Sequence, residues 1–156
     1  MDPQPTSTKI LPAHECWALL RTAPFGRLAL CVDDRPEIFP INFVVDHGSL
    51  IYRTSEGTKS SAAEKAASAL EADGRLAPGT TEWGGDQEMM WSVVVKGHTS
   101  TIAVTAELMD TVQLPLHPWE SGRTDRFMRL VPDSISGRAF VPSVVRAAAS
   151  SEQVGQ

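Results

Sequence analysis

The sequence has almost no cysteine, few aromatic rings and no long apolar run. Two cysteines in 156 residues, Cys16 and Cys31, cannot make a disulfide framework. Both fall in apolar runs and read as buried thiols behaving as small hydrophobes. No stretch reaches the roughly 18 apolar residues of a membrane span. Residues 1–8 are polar and proline-rich, without the basic and apolar regions of a secretion leader. These absences predict a cytoplasmic protein with no membrane partner. An excess of positive charge is missing too. Fourteen Lys and Arg against nineteen Asp and Glu leave a formal net charge of -5, so no nucleic-acid partner is expected, because that usually needs a basic face. An anionic ligand would have to be held by a few placed cations.

The usual protein-borne catalysts are absent as well. The four histidines, His14, His47, His98 and His117, do not pair at ligand spacing, and there is no C-x-x-C, so no metal site is expected. There is no G-x-S-x-G, no G-x-G-x-x-G and no P-loop. The carboxylates are scattered through turns, where solvation explains them.

What remains is a chain of 42% hydrophobic residues and one-domain length. Residues 1–11 read as a flexible arm, 12–140 as the folded domain and 141–156 as a frayed tail. The apolar spacing in 14–22 predicts a short helix after Pro12. Residues 25–32, 37–46 and 50–54 read as three strands of an antiparallel meander. Pro40 in the second marks an edge or an interrupted ladder. Residues 57–67 have helical composition, 68–72 are a weak strand, and 73–88 are a long loop. Residues 89–104 give the strongest strand pattern, with a bulge at Gly97. A second short helix over 104–112, an irregular 114–125 and a final strand or hairpin over 126–131 and 134–140 complete the pattern. About six mostly antiparallel strands with short helices predict a mainly β fold closed into a barrel.

One segment carries an arrangement of its own. The strand ending in Tyr52-Arg53-Thr54 runs through Ser55-Glu56-Gly57 into Thr58-Lys59-Ser60-Ser61 and an alanine-rich helix. Free N–H groups at a helix start, hydroxyls, the Lys59 charge and the Arg53 fork are the parts of a phosphate cradle. The same residues also read as an ordinary helix cap by Thr58 or Ser55 with solvated cations.

Further residues bear on this choice. Gly26-Arg27-Leu28-Ala29, Pro36, Pro40-Ile41-Asn42-Phe43, Tyr52-Arg53-Thr54 with Gly57-Thr58-Lys59, 91–97 (WSVVVKG), Pro118-Trp119 and 135–138 (ISGR) follow one another in order. In that order and spacing the chain resembles the pyridoxamine 5′-phosphate oxidase-like, flavin-binding split β-barrel family, in its short single-domain form. The resemblance spans about Leu11 to Phe140. It implies a Greek-key-like split barrel and a homodimer with cofactor sites at the interface. It also implies an FMN-dependent oxidoreductase whose flavin transfers a hydride or electrons to a small molecule. By the same resemblance, Arg53, Thr54, Thr58 and Lys59 hold the FMN phosphate, and Pro40, Ile41 and Asn42 run beside the ring. Trp91 and Ser92 approach the cofactor from the partner subunit, and Trp119 covers the ring or lines the substrate pocket. Nothing after Arg138 matches the segment with which pyridoxamine phosphate oxidases contact substrate, so the vitamin B6 reaction itself is not implied. Alternatives of the same fold are a deazaflavin-dependent reductase, with Lys9, Arg27 and Arg75 as candidates for a polyanionic tail, a non-catalytic flavin carrier or sensor, and a cofactor-free dimeric module.

Overall fold

The computed structural model describes residues 8–54, 67–102 and 126–142. In chain order the elements are β1 (Thr8–Leu11), α1 (Ala13–Leu20), β2 (Gly26–Val32), β3 (Arg35–Ile41), β4 (Phe43–Asp46), β5 (Ser49–Thr54), β6 (Ala67–Leu76), β7 (Met89–Thr101) and β8 (Arg126–Phe140). All strand pairs are antiparallel, in the order β3-β2-β6-β7-β8-β5-β4, with β1 added alongside β8. The expected antiparallel, mainly β split-barrel fold is present as a curled half-barrel sheet, with eight strands among the described residues rather than about six.

The topology turns on Asn42. β3 and β4 occupy the two ends of the strand order, yet this one residue separates them in sequence. A chain can pass from one edge to the other in one residue only if the sheet curls until its edges approach. The expected three-strand meander is therefore not what forms. β2 pairs with β3 and β4 with β5, but β3 and β4 are not neighbours in the sheet. Pro40 fits an edge strand because it has no N–H to offer a further neighbour. Each hairpin closes through two residues with positive φ, Asp33 (51°) and Asp34 (62°) in one, His47 (50°) and Gly48 (72°) in the other. That left-handed geometry matches the twist of the strands it joins.

The core follows strand alternation. Leu28, Leu50, Tyr52, Leu70, Val93 and Met128 are fully buried on the inner face. On β2 the odd positions face out, which puts Cys31 on the surface, contrary to the expectation for it. Its strand neighbours Leu30 and Val32 are apolar, but its parity is that of Arg27. Cys16 is buried, and burial together with the nearby Glu15 pushes its thiol pKa up. Its Sγ lies where a β-carbon on Gly137 would come within 2.7 Å, so the glycine lets α1 seat on β8.

Two further expectations change, and an open one is decided. Residues 8–11, read as part of the arm, form β1 and pair with residues 137–140 of β8. Residues 73–76, read as loop, belong to the ten-residue β6, which leaves 77–88 as the connection to β7. Of the two alternatives for the final element, the structure has the strand, fifteen residues long. Pro132-Asp133 falls where the β7–β8 register shifts between Lys96 and Gly97, at the expected bulge. The helices expected over 57–67 and 104–112 and the loop over 114–125 lie outside the described residues, apart from Ala67, which opens β6. Among the described residues no helix is long and apolar enough to cross a membrane.

Candidate functional site

The β3–β4 crossing gathers the first group of expected site residues. Pro40 is exposed and pairs in register with Arg27 of β2. Ile41 is buried against Gly26. Phe43 is buried opposite Tyr52. Alternation therefore turns Pro40 and Asn42 to the outside while Ile41 and Phe43 enter the core. Asn42 precedes Phe43 and Arg53 follows Tyr52, so the two flank the last pair of the β4–β5 ladder. The end of the proline segment and the arginine at the end of β5 thus lie at the same end of that hairpin, although eleven positions separate Asn42 from Arg53 in the chain.

Arg53 pairs in register with Phe127 of β8, and its guanidinium carbon stands 5.7 Å from the centre of that ring. Thr54 ends β5 opposite Arg126. Thr58, Lys59 and Trp119 lie outside the described residues.

A second polar group spreads from Arg27 over the same outer face. Arg27 Nη1 donates to Glu71 Oε1 at 2.8 Å and to Asp73 Oδ2 at 3.1 Å, and Ser92 Oγ donates to Glu71 Oε2 at 3.3 Å. One guanidinium thus serves two carboxylates from β6 while a hydroxyl from β7 closes the cluster. Partial burial pushes the Glu71 carboxyl above its ordinary range, and its contact with Asp73 adds to the rise while Arg27 opposes it. Ser92 sits beside Asp73 on one side and Arg138 on the other.

Trp91 and Ser92, adjacent in sequence, face opposite ways. Ser92 joins the outer cluster, whereas Trp91 is 3% exposed and packs inward over Gly74. The structure therefore sets Asn42 and Arg53 at one end of the β4–β5 hairpin, places Ser92 near Arg27, and buries Ile41 and Trp91 in the core. The cations considered for a polyanionic tail are spread apart and engaged. Lys9 lies 5.2 Å from the ring centre of Trp83, Arg75 pairs with Glu88 at 3.2 Å, and Arg27 is held as above.

Glu71, Asp73 and Phe127 were not among the expected site residues. The i, i+2 spacing of the two acids was the available clue, and it became informative only once 67–76 was a strand. Among the described residues no three His, Cys, Asp or Glu side chains are grouped to hold a metal ion.

The sequence matches the pyridoxamine 5′-phosphate oxidase family over residues 12–139. It is similar to the FAD binding protein of Mycobacterium smegmatis, with 38% identity, a TM-score of 0.69, and coverage of 85% of this chain and 99% of that one. A conserved protein of unknown function from Corynebacterium diphtheriae is 29% identical with a TM-score of 0.70, over 86% of this chain and 99% of that one. An uncharacterized protein of Mycobacterium tuberculosis is 28% identical over 131 residues, 84% of each chain. With residues 12–139 matched, well over half of its length, the chain belongs to the pyridoxamine 5′-phosphate oxidase family.

Proposed function

We propose that this protein binds a flavin nucleotide and works as an oxidoreductase on a small molecule, with a second copy of the chain completing the site. The observation that carries the reading is the convergence of Asn42 and Arg53 at the strand crossing. There the free side of edge strand β3 leaves backbone polar groups to face a ligand, and a cation stands at the end of the neighbouring hairpin. Arg53 would take the phosphate, with Thr54, Thr58 and Lys59 continuing the cradle. Pro40 and Asn42 would border the ring, Ile41 and Trp91 would keep that border rigid from below, and Trp119 would cover the ring. The bound flavin supplies the hydride or electron transfer, which fits a chain without an acid–base or nucleophile motif. The protein's own part is to place the ring, neutralise the phosphate and shape the pocket.

FMN is the nucleotide that the cradle residues suggest, and the name of the M. smegmatis relative points to FAD. The two share the phosphate on the ribityl chain, which is the group that Arg53 would meet. The test is the absorbance spectrum and mass of whatever co-purifies, followed by FMN and FAD titration of the stripped protein. A yellow protein reduced by NADH or NADPH, with turnover on an acceptor panel, supports the oxidoreductase. Flavin bound without turnover supports a carrier. A colourless protein that takes up neither nucleotide overturns the reading, and a monomer that retains stoichiometric flavin overturns the shared site.

A further inference from the structure

The outer face of β6, β7 and β8 carries opposite charges on either side of one small residue. Asp73 pairs in register with Ser92, and Ser92 with Arg138, so the three stand in one row across the sheet. Cross-strand partners point to the same face, and their neighbours Ala72, Trp91 and Ala139 are buried on the other. The acid and the base are two strand spacings apart, about 10 Å, too far for a direct ion pair. The Asp73 side chain is 45% exposed and makes one ion pair, with Arg27, which leaves acceptor capacity over. Arg138 is exposed and has no hydrogen-bond or ion-pair partner among the described residues.

The adjoining row extends the pattern. There Glu71 and Ser136 flank Val94, a carboxylate on one side and a hydroxyl on the other. On this face β6 thus supplies acids, β8 supplies a hydroxyl and a cation, and β7 between them presents the short side chains of Ser92 and Val94. Among the described residues no element covers it, because α1 seats on the opposite face, where Cys16 and Val93 crowd Gly137. Large apolar side chains stand at both flanks. Ile10, paired with Arg138, is 73% exposed, and Phe25, just ahead of β2, is 49% exposed.

A second copy of this chain fits the face when the twofold axis runs along β7. Rotation about that axis exchanges the β6 and β8 columns. Asp73 of each copy then meets Arg138 of the other, and Glu71 meets Ser136. The same rotation carries Ile10 toward the β2 side, where Phe25 is exposed. An axis across the strands would instead set the β6 acids against one another. Lys96, exposed on the β7 column, has a stem long enough to swing its charge to solvent, so the contact centres on Ser92 and Val94. We infer that two copies join through the outer face of β6, β7 and β8, held in register by two symmetric Asp73–Arg138 ion pairs. The inference rests on the site completed by a second copy and deepens it, because Ser92 then lies on the axis inside the interface.

The test is light scattering with size exclusion over a concentration series of the wild type, Asp73→Lys, Arg138→Glu and an equimolar mixture of the two variants. Thermal midpoints confirm folding. Each reversal sets like charges together twice in its own dimer and should raise the dissociation constant more than about tenfold. In the mixture each altered residue faces an opposite charge, so a heterodimer should form within about threefold of the wild-type constant. If Asp73→Lys does not fold, Asp73→Asn and Arg138→Gln replace the reversals. Each should then weaken the dimer, and the double variant no more than either alone, because both remove one contact. Wild-type dimerisation in a reversal variant overturns the inference, as does a mixture that stays monomeric or additive losses in the neutral pair. A wild type that is monomeric throughout removes the second copy and this inference with it. A wild-type dimer indifferent to these changes leaves the second copy in place and moves it to another face, and flavin binding is not read at all.

Discussion

The indole of Trp91 occupies the space that a side chain on Gly74 would need. A β-carbon at Gly74 would lie 2.8 Å from Nε1, 3.0 Å from Cε2 and 3.1 Å from Cζ2 of the ring. The two residues are direct cross-strand partners on β6 and β7, and the ring is 3% exposed. Gly74→Ala should therefore push the indole out of its seat. The expected cost is about 1–3 kcal/mol, the range for overpacking a well-filled core. Denaturant unfolding measures the loss, and tryptophan emission should shift to the red. An alanine variant as stable as the wild type would show that the ring moves aside freely.

Tyr52 is the chain's single tyrosine and is fully buried. Burial pushes its phenol up to about 12, a contact with the Thr99 hydroxyl offsetting part of the rise. An unfolded phenol titrates near about 10. The folded value is the higher, so the unfolded state gives up its proton first. The contribution of Tyr52 is therefore intact below about pH 10 and is lost as pH rises from there through about 12. Ultraviolet titration of the native protein should show one phenolate transition near the upper value, moving to the lower one in denaturant. Tyr52→Phe should flatten the alkaline loss of stability. A native transition near pH 10 would contradict the burial argument.

Glu71 is raised for a different mixture of reasons: partial burial first, the Asp73 carboxyl second, with Arg27 pulling against both. Its folded state holds the proton more tightly than the unfolded chain does. Its contribution is therefore present below the ordinary carboxylate range and is lost as pH rises through the raised value. Glu71→Gln mimics the neutral form and leaves the 3.1 Å pair of Arg27 with Asp73 in place. The variant should be more stable than the wild type at pH 7.5, with the difference fading toward pH 4. Urea midpoints at the two pH values decide it, and a variant less stable at pH 7.5 would mean that the Arg27 pair outweighs desolvation.

How much of this was legible in the sequence depended on whether the cause was local. Pro40 announced an edge strand because a missing N–H is a property of the residue itself. Gly97 announced a bulge for a similar reason. The strand β6 was half hidden. Asp73-Gly74 looks like the start of a loop, and the glycine is there because Trp91 on the next strand needs the room. Pro132-Asp133 looks like a hairpin turn, yet the bulge opposite absorbs it and the strand runs on. Cys31 sits among apolar neighbours, and only its parity on β2 puts it outside. At the candidate site, Arg53 was visible as a cation at a strand end. Its position beside Phe127 is set by register between β5 and β8, strands far apart in the chain, and no short window along the sequence contains it.

The bulge at Gly97 also gives a direct test of the β7–β8 seam, the longest pairing in the sheet. A β-carbon at Gly97 would run into the Val131 carbonyl, lying 2.8 Å from its carbon and 2.9 Å from Pro132 Cα. All three contacts are backbone, so no side chain can swing away to relieve them. Gly97→Ala must either open the seam or shift the register of β8, and β8 also carries Phe127, Met128 and Arg129 to their places beside β5. The expected loss is about 3 kcal/mol, the upper part of the overpacking range, with faster amide exchange along both strands. Because Gly97 and Gly74 sit on different rows of β7 and β6, the two alanine variants should add when combined. Gly97→Ala with unchanged stability and exchange would show that the seam is looser than the close backbone approach implies.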